Sequence, residues 1–244
     1  MTVSALTDAV VAVVGGTSGF GREVATRAAA AGASVVVVGR DADKLRRVVA
    51  EIGDATGAAV TGHAADVAEA GTAASLFARI GDIDHLVSTV GGAMGGGFLT
   101  ASFDEIKTTV DGKFLANLAL VRAAARHLRA GGSVTLTAGA GGTPSTASGA
   151  LIGNQAISTM VRGLAIELAP DVRVNAVAPA WTPTPLWRHL SPTDLDATAR
   201  QMAGSLPLKR TATIPEVGDA YTFLMTATFV TGHTLFVDGG ASLV

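Results

Sequence analysis

The sequence predicts an α/β protein of one domain over residues 1–244, with a doubly wound parallel sheet of about seven strands. Three observations predict it. Short β-branched runs recur along the chain, with longer helical stretches between them, the pattern of strands joined by right-handed crossovers. The first two runs, with VVAVV and VVVV, are continuously apolar, as strands covered on both faces should be. No linker, repeat or low-complexity segment divides the chain, and a 48% hydrophobic, 16% charged composition suffices for one large core.

The first strand is VVAVVG from Val10, and a glycine-rich turn leads from it into the alanine-rich helix REVATRAAAAGA. SVVVVG from Ser34 is the second strand, a third precedes Asp66-Val67, and DHLVST from Asp84 is the fourth. The glycine-rich segment Gly91–Phe98 then reads either as a flexible loop over a pocket mouth or as a tolerant surface loop. Ser102 and Glu105 have capping-box spacing at the head of a long helix around Ser102 to Arg129. SVTLT from Ser133, a second long helix around Ala147 to Ala169, and DVRVNAV from Asp171 follow. Ser191-Pro192 suits an N-cap with proline at the first helical position, Thr213 and Glu216 form a second capping-box pair, and HTLFVD from His233 is the last strand.

Composition narrows the function. Zero cysteines remove disulfides, zinc-thiolate sites and cysteine nucleophiles. A formal charge of -2 without a basic block leaves no footprint for nucleic acid or an anionic membrane. The start MTVSALTDAV lacks a basic region and a long apolar stretch, and no run approaches the roughly 18 apolar residues of a membrane span. The expectation is a cytoplasmic protein with a small-molecule substrate. The histidines are too scattered for a metal cluster, so no metal is expected, and His85, at a strand start, reads as structural.

The turn after the first strand is Val14-Gly15-Gly16-Thr17-Ser18-Gly19-Phe20-Gly21. Glycines there allow a tight turn, close approach of backbone to a pyrophosphate, and close packing of helix on strand; the phosphates then sit on the helix N-terminus. The spacing Gly15, Gly19, Gly21 resembles the TGxxxGxG of the short-chain dehydrogenase/reductase family, with Val14 at its usual threonine. The resemblance continues in Asp66-Val67, RVNAVAP from Arg173, Thr184-Pro185-Leu186 and VTGHTLFVDGG from Val230. It implies a Rossmann fold binding a nicotinamide dinucleotide. By the same resemblance Gly15, Thr17, Ser18, Gly19, Phe20 and Gly21 form the pyrophosphate turn, Asp66 and Val67 contact adenine, Gly91 and Gln155 line the site, and Thr184 lies near the carboxamide. A homodimer or homotetramer built on the two long helices and the last strand is also implied.

Cofactor choice turns on the end of the second strand, where an NAD enzyme usually places a carboxylate for the ribose 2′-OH. Gly39 occupies that place and Arg40 follows, whose guanidinium can pair bidentately with a 2′-phosphate. The alternative is a solvated arginine paired with Asp41 or Asp43. NADP is therefore favoured over NAD, although Ser18 stands where many NADP-using relatives carry a basic residue.

The family's proton relay is a serine, a tyrosine and a lysine. The YxxxK pattern falls on Leu151 and Gln155, and the serine position on Ala138. The only tyrosine is Tyr221, far downstream, and no lysine lies between Lys113 and Lys209. The segment NNAG reads Ser88-Thr89-Val90-Gly91, and the asparagine of the following helix aligns with Asp111. Candidate replacements are Lys113 as the missing cation, Asp111 as a general base, and Thr137 or Ser145 to polarise a carbonyl. Each has a plainer alternative: a surface or interface lysine, a helix cap, or loop hydroxyls bonding their own backbone. Trp181 and Trp187 are candidate apolar substrate walls, or ordinary core aromatics. Three functions compete: an NADP(H)-dependent oxidoreductase reducing an activated carbonyl or alkene by a non-standard mechanism, a catalytically inactive NADP-binding protein or partner subunit, and a redox-neutral isomerase or cyclase.

Overall fold

In the computed structural model, which describes residues 6–244, seven parallel strands form one sheet of order β3-β2-β1-β4-β5-β6-β7. The expectation of no leader falls partly on residues 1–5, outside the described residues. The strands are β1 Val10–Val14, β2 Ser34–Gly39, β3 Val60–Ala64, β4 Ile83–Ser88, β5 Leu128–Thr137, β6 Arg173–Pro179 and β7 Thr234–Val237. The helices are α1 Gly19–Ala30, α2 Ala42–Thr56, α3 Thr72–Ile80, α4 Phe103–Val110, α5 Ala116–Ala124, α6 Ser148–Glu167, α7 Pro192–Ser205 and α8 Ile214–Thr226.

Strand alternation divides the core in two. Ala12, Val14, Leu86 and Leu136 face Phe77 of α3, Leu120 of α5 and Ile157 of α6. Val11, Val13, Val35 and Val37 face Val24 of α1, Leu45 of α2 and Tyr221 of α8. Each Val, Leu, Ile or Phe among them contributes about 1.5–3 kcal/mol on full burial, so runs like VVAVV are stabilised from both faces at once. The capping boxes form as spaced. Ser102 Oγ accepts from Glu105 N at 3.2 Å and Glu105 Oε2 accepts from Ser102 N at 2.9 Å; Thr213 and Glu216 repeat the arrangement at 3.3 and 2.8 Å.

The long helix expected over Ser102 to Arg129 is broken. α4 passes into a π-helical turn, Asp111–Leu115, before α5 resumes, and Arg129 already belongs to β5. The strand begins early because Leu128 pairs with Ile83 before the register slips, resuming at Ser133 opposite His85. Gly131 at φ +87° makes the slip possible, and Gly132 allows Asp84 O to approach within 2.2 Å of where a Cβ would stand.

β1 lies between β2 and β4, so the strand order reverses there. Doubly wound sheets open a crevice at such a reversal, at the carboxyl ends of the strands.

Candidate active site

The glycine turn lies at that crevice. Gly15 N and Gly16 N donate to Val38 O at 2.9 and 3.1 Å, which folds the chain back over the end of β2. Gly15 and Gly19 have φ +84° and +52°, the left-handed region that favours glycine. A Cβ on Gly21 would stand 2.4 Å from Gly15 O, and one on Gly39 would stand 2.5 Å from Thr17 Cγ2. Ser18 is the N-cap of α1, but its side chain makes no capping hydrogen bond, so no side chain covers the first N–H groups of the helix. Thr184, after β6, approaches within 3.6 Å of the Cβ position on Gly19, and its own hydroxyl accepts from Leu186 N at 3.3 Å. Phe20 turns its ring toward the α1 side of the core, leaving its backbone in the turn. The bare backbone at α1, with Thr184 across from it, fits a dinucleotide pyrophosphate.

At the adenine end, Arg40 pairs with neither Asp41 nor Asp43. Asp41 caps α2 by accepting from Asp43 N and Lys44 N, and Asp43 pairs with Arg46. Arg40, 75% exposed at its side chain, instead lies 3.8 Å from Asp66 Oδ2. Asp66 also accepts from Ala68 N at 3.0 Å, while the Val67 side chain is buried in the core.

The catalytic candidates separate. Ala138 follows Thr137 immediately beyond the end of β5, with Ala138 N still donating to Val177 O at 2.8 Å, and the two side chains face opposite ways. Thr137 Oγ1 donates to Ser88 O at 2.7 Å and meets Tyr221 Oη at 2.5 Å, on the α8 side, whereas Ala138 is buried with α5 and α6. This corrects the expectation for Thr137: its hydroxyl is committed inside the opposite half of the core. Burial pushes the Tyr221 hydroxyl far above its ordinary value, so it stays protonated. Asp111 is corrected as well, because its carboxylate is paired with Lys107 on the outer side of the helix. Ser145 Oγ bonds Thr143 Oγ1 at 3.0 Å within its own loop.

Lys113 is not a surface lysine. It is 8% exposed, in the π turn, and Nζ donates to Asn154 Oδ1 on α6 at 2.9 Å. Desolvation lowers its pKa from 10.5 to about 8. Gly91, at φ +148°, places its missing Cβ 3.1 Å from Lys113 Cγ. Leu151 is half-buried and Gln155 exposed on the same helix, flanking Asn154.

Sequence reasoning missed two asparagines. Asn117, fully buried, accepts from Ser88 Oγ at 2.6 Å and donates to Val90 O at 3.2 Å and Lys113 O at 2.6 Å. It thereby ties the segment after β4 to the π turn. Asn154, the second, lies between Leu151 and Gln155. Their signal is a short amide side chain within a helix whose neighbouring residues are largely apolar.

The Gly91–Phe98 segment, read as flexible or tolerant, is pinned at Gly96 and Gly97. Ser148 donates to Gly96 O from both N and Oγ at 3.1 Å, and Gly97 N donates to Thr100 Oγ1 at 2.8 Å. Trp181 and Trp187 stack with ring centroids 5.6 Å apart, and Trp187 Nε1 donates to Thr182 O at 3.0 Å. His85 is buried with Nδ1 2.8 Å from Ser133 Oγ, and desolvation lowers its pKa to about 4. Among the described residues no group of three acidic or histidine side chains is placed to hold a metal, and no helix is long and apolar enough to cross a membrane.

Fold and crevice together define a dinucleotide-binding α/β protein. A family model described as enoyl-(acyl carrier protein) reductase matches residues 14–242. The 2,3-dihydro-2,3-dihydroxybenzoate dehydrogenase of Bacillus subtilis is 30% identical, with 95% of each chain covered. Galactitol 2-dehydrogenase (L-tagatose-forming) of Cereibacter sphaeroides is 34% identical, over 98% of this chain and 97% of the relative. A solved structure described as a short chain dehydrogenase/reductase family protein superposes with TM-score 0.85 at 33% identity, over 98% of this chain and 100% of the other. The chain belongs to the short-chain dehydrogenase/reductase family of oxidoreductases, which use NAD or NADP.

Proposed function

We propose that the protein is an NADP(H)-dependent oxidoreductase that reduces an activated carbonyl or alkene without the family's Ser-Tyr-Lys relay. The observation that carries this reading is the placement of Lys113: a buried ammonium, bonded to Asn154, beside the stretch of α6 where the relay aligns with Leu151 and Gln155. The backbone turn Gly15–Gly21 and Thr184 would hold the dinucleotide, with Asp66 and the backbone of Val67 at the adenine. Arg40 favours NADP because its exposed guanidinium has only a 3.8 Å ion pair to exchange for a 2′-phosphate. When bound, the dinucleotide supplies the hydride. Lys113 supplies the positive charge, while apolar Ala138 and Leu151 stand at the positions of the family's serine and tyrosine. General acid–base assistance is worth about 10²- to 10⁴-fold, so an activated substrate tolerates a weaker arrangement than an ordinary ketone does.

Ala138, Leu151 and the sequestered Tyr221 also favour a second reading, an NADP-binding protein or partner subunit without turnover. Fluorescence titration with NADPH and NADH, followed by a turnover screen on aldehydes, quinones and enones, separates the two. Tight NADPH binding with turnover on one class supports the oxidoreductase; binding with no turnover supports the second reading, and absence of binding at micromolar concentrations overturns both. A homodimer or homotetramer is part of the proposal, supported by exposed Ile152 and Ile166 on α6 and Phe229 and Phe236 around β7. Light scattering checks it.

A further inference from the structure

A lysine ammonium has three N–H donors, and among the described residues one acceptor meets that of Lys113, Asn154 Oδ1 at 2.9 Å. Three glycines from three separate segments shape the slot around the pair. The lysine stem crosses α6 at Gly153, where a Cβ would stand 2.7 Å from Lys113 Cδ, and it passes Gly91. The Asn154 amide occupies space left by Gly139, whose Cβ would stand 2.8 Å from Asn154 Nδ2. Gly91 follows β4 and Gly139 follows β5, so the slot lies at the carboxyl edge of the sheet, the same edge as the glycine turn. The π turn puts Lys113 in register to cross α6, while Asn117 fixes the carbonyl of Lys113 itself.

We infer that Asn154 is a positioning residue for Lys113, and that the pair delivers a proton to the oxygen of a carbonyl-containing substrate from the π turn. This rests on the proposed oxidoreductase function. The step balances as one proton transfer: an N–H bond of the ammonium breaks as an O–H bond forms, Nζ keeps the electron pair as a neutral amine, and water returns the proton. Reduced nicotinamide is the hydride source. An amide partner suits this step because Oδ1 orients the ammonium without adding negative charge, which would hold the proton more tightly. The charged groups on the elements packed around Lys113 are Asp104, Glu105 and Lys107 on α4, Asp111 beside them, Arg122 on α5, and Arg162 and Glu167 on α6. None of them contributes to the lowered Lys113 value, for which desolvation is the cause.

The chain has four lysines, Lys44, Lys107, Lys113 and Lys209, so carbon-13 Lys Cε resonances can be titrated one by one, with Lys113→Arg assigning the signal. The expected midpoint for Lys113 is about 8. The near-isosteric Asn154→Asp places a carboxylate against the ammonium and should raise that midpoint by about 1–3 units, carrying the alkaline limb of turnover with it. Asn154→Leu should lower turnover by about 10- to 100-fold with NADPH affinity within about twofold of wild type. An unchanged Lys113 midpoint in Asn154→Asp, or wild-type turnover in Asn154→Leu, overturns the pair. If wild-type protein fails to bind NADPH, the proposed function falls, while the titration still reports on the two side chains independently.

Discussion

Replacing Gly21 with alanine tests the cofactor turn at its tightest contact. The new Cβ would stand 2.4 Å from Gly15 O, 2.7 Å from Thr89 Oγ1 and 2.8 Å from Gly15 C. Two of those atoms are backbone, so no rotamer change relieves the overlap. Helix propensity alone would favour alanine by up to about 1 kcal/mol. Overpacking against fixed backbone atoms costs about 2–3 kcal/mol, the upper part of its usual range, leaving a net loss of about 1–2 kcal/mol. For a domain of this size, about 2–4 °C per kcal/mol predicts a fall in Tm of about 2–8 °C. NADPH affinity should drop at least about tenfold, because α1 must move away from the turn that presents its N–H groups. Gly204→Ala, in α7 with nothing within 4 Å of its Cβ position, is the control and should be neutral or stabilising. Thermal unfolding with and without NADPH measures both. A Gly21→Ala protein as stable as wild type, with unchanged NADPH affinity, would refute the contact argument.

Arg40→Ala should weaken NADPH about 10- to 100-fold and NADH less than about threefold, since only the 2′-phosphate loses a charge-assisted partner; equal losses in paired titrations would remove Arg40 from cofactor choice. Tyr221→Phe should cost about 0.5–1.5 kcal/mol through the lost Thr137 hydrogen bond and leave turnover unchanged, and a loss of activity at retained stability would return the tyrosine to the mechanism. His85 has a folded pKa of about 4, below its unfolded value of about 6.5, so the unfolded state binds more protons between those limits. Its contribution is therefore fully present above about pH 6.5 and is lost as pH falls toward 4, a change of about 3 kcal/mol. His85→Gln should flatten that slope in urea unfolding at pH 7 and pH 5, and an unaltered slope would show that another group titrates.

The sheet was legible because its signal is repeated: VVAVV and the VVVV of the second strand are continuously apolar, as strands covered on both faces can be, and SVTLT repeats the β-branched character. The glycine turn was legible because each glycine answers a backbone constraint, from the positive φ at Gly15 and Gly19 to the contact at Gly21. The catalytic side was less so. Adjacency in sequence brought Thr137 close to Ala138, yet strand alternation sends the two hydroxyl and methyl groups to opposite layers. Lys113 carries no pattern that distinguishes a buried lysine from a solvated one; its burial depends on Gly91 and Gly153, which are 22 and 40 positions away. The break in the helix beyond Val110 was invisible because a π turn uses the same residue types as the α-helix on either side.

That turn has an architectural consequence. An α-helix advances about 100° per residue, so one wider turn shifts the phase of everything beyond it by about the angle of one residue. α4 and α5 can therefore each keep the face their own surroundings demand, α5 toward β4 and β5 and α4 toward the start of α6, without forcing a common stripe along both. Lys113 sits at the splice between the two phases, where its direction is bound to neither helix's apolar stripe. A helical joint of this kind lets a charged group be buried at the junction while the helices on either side keep their own apolar stripes.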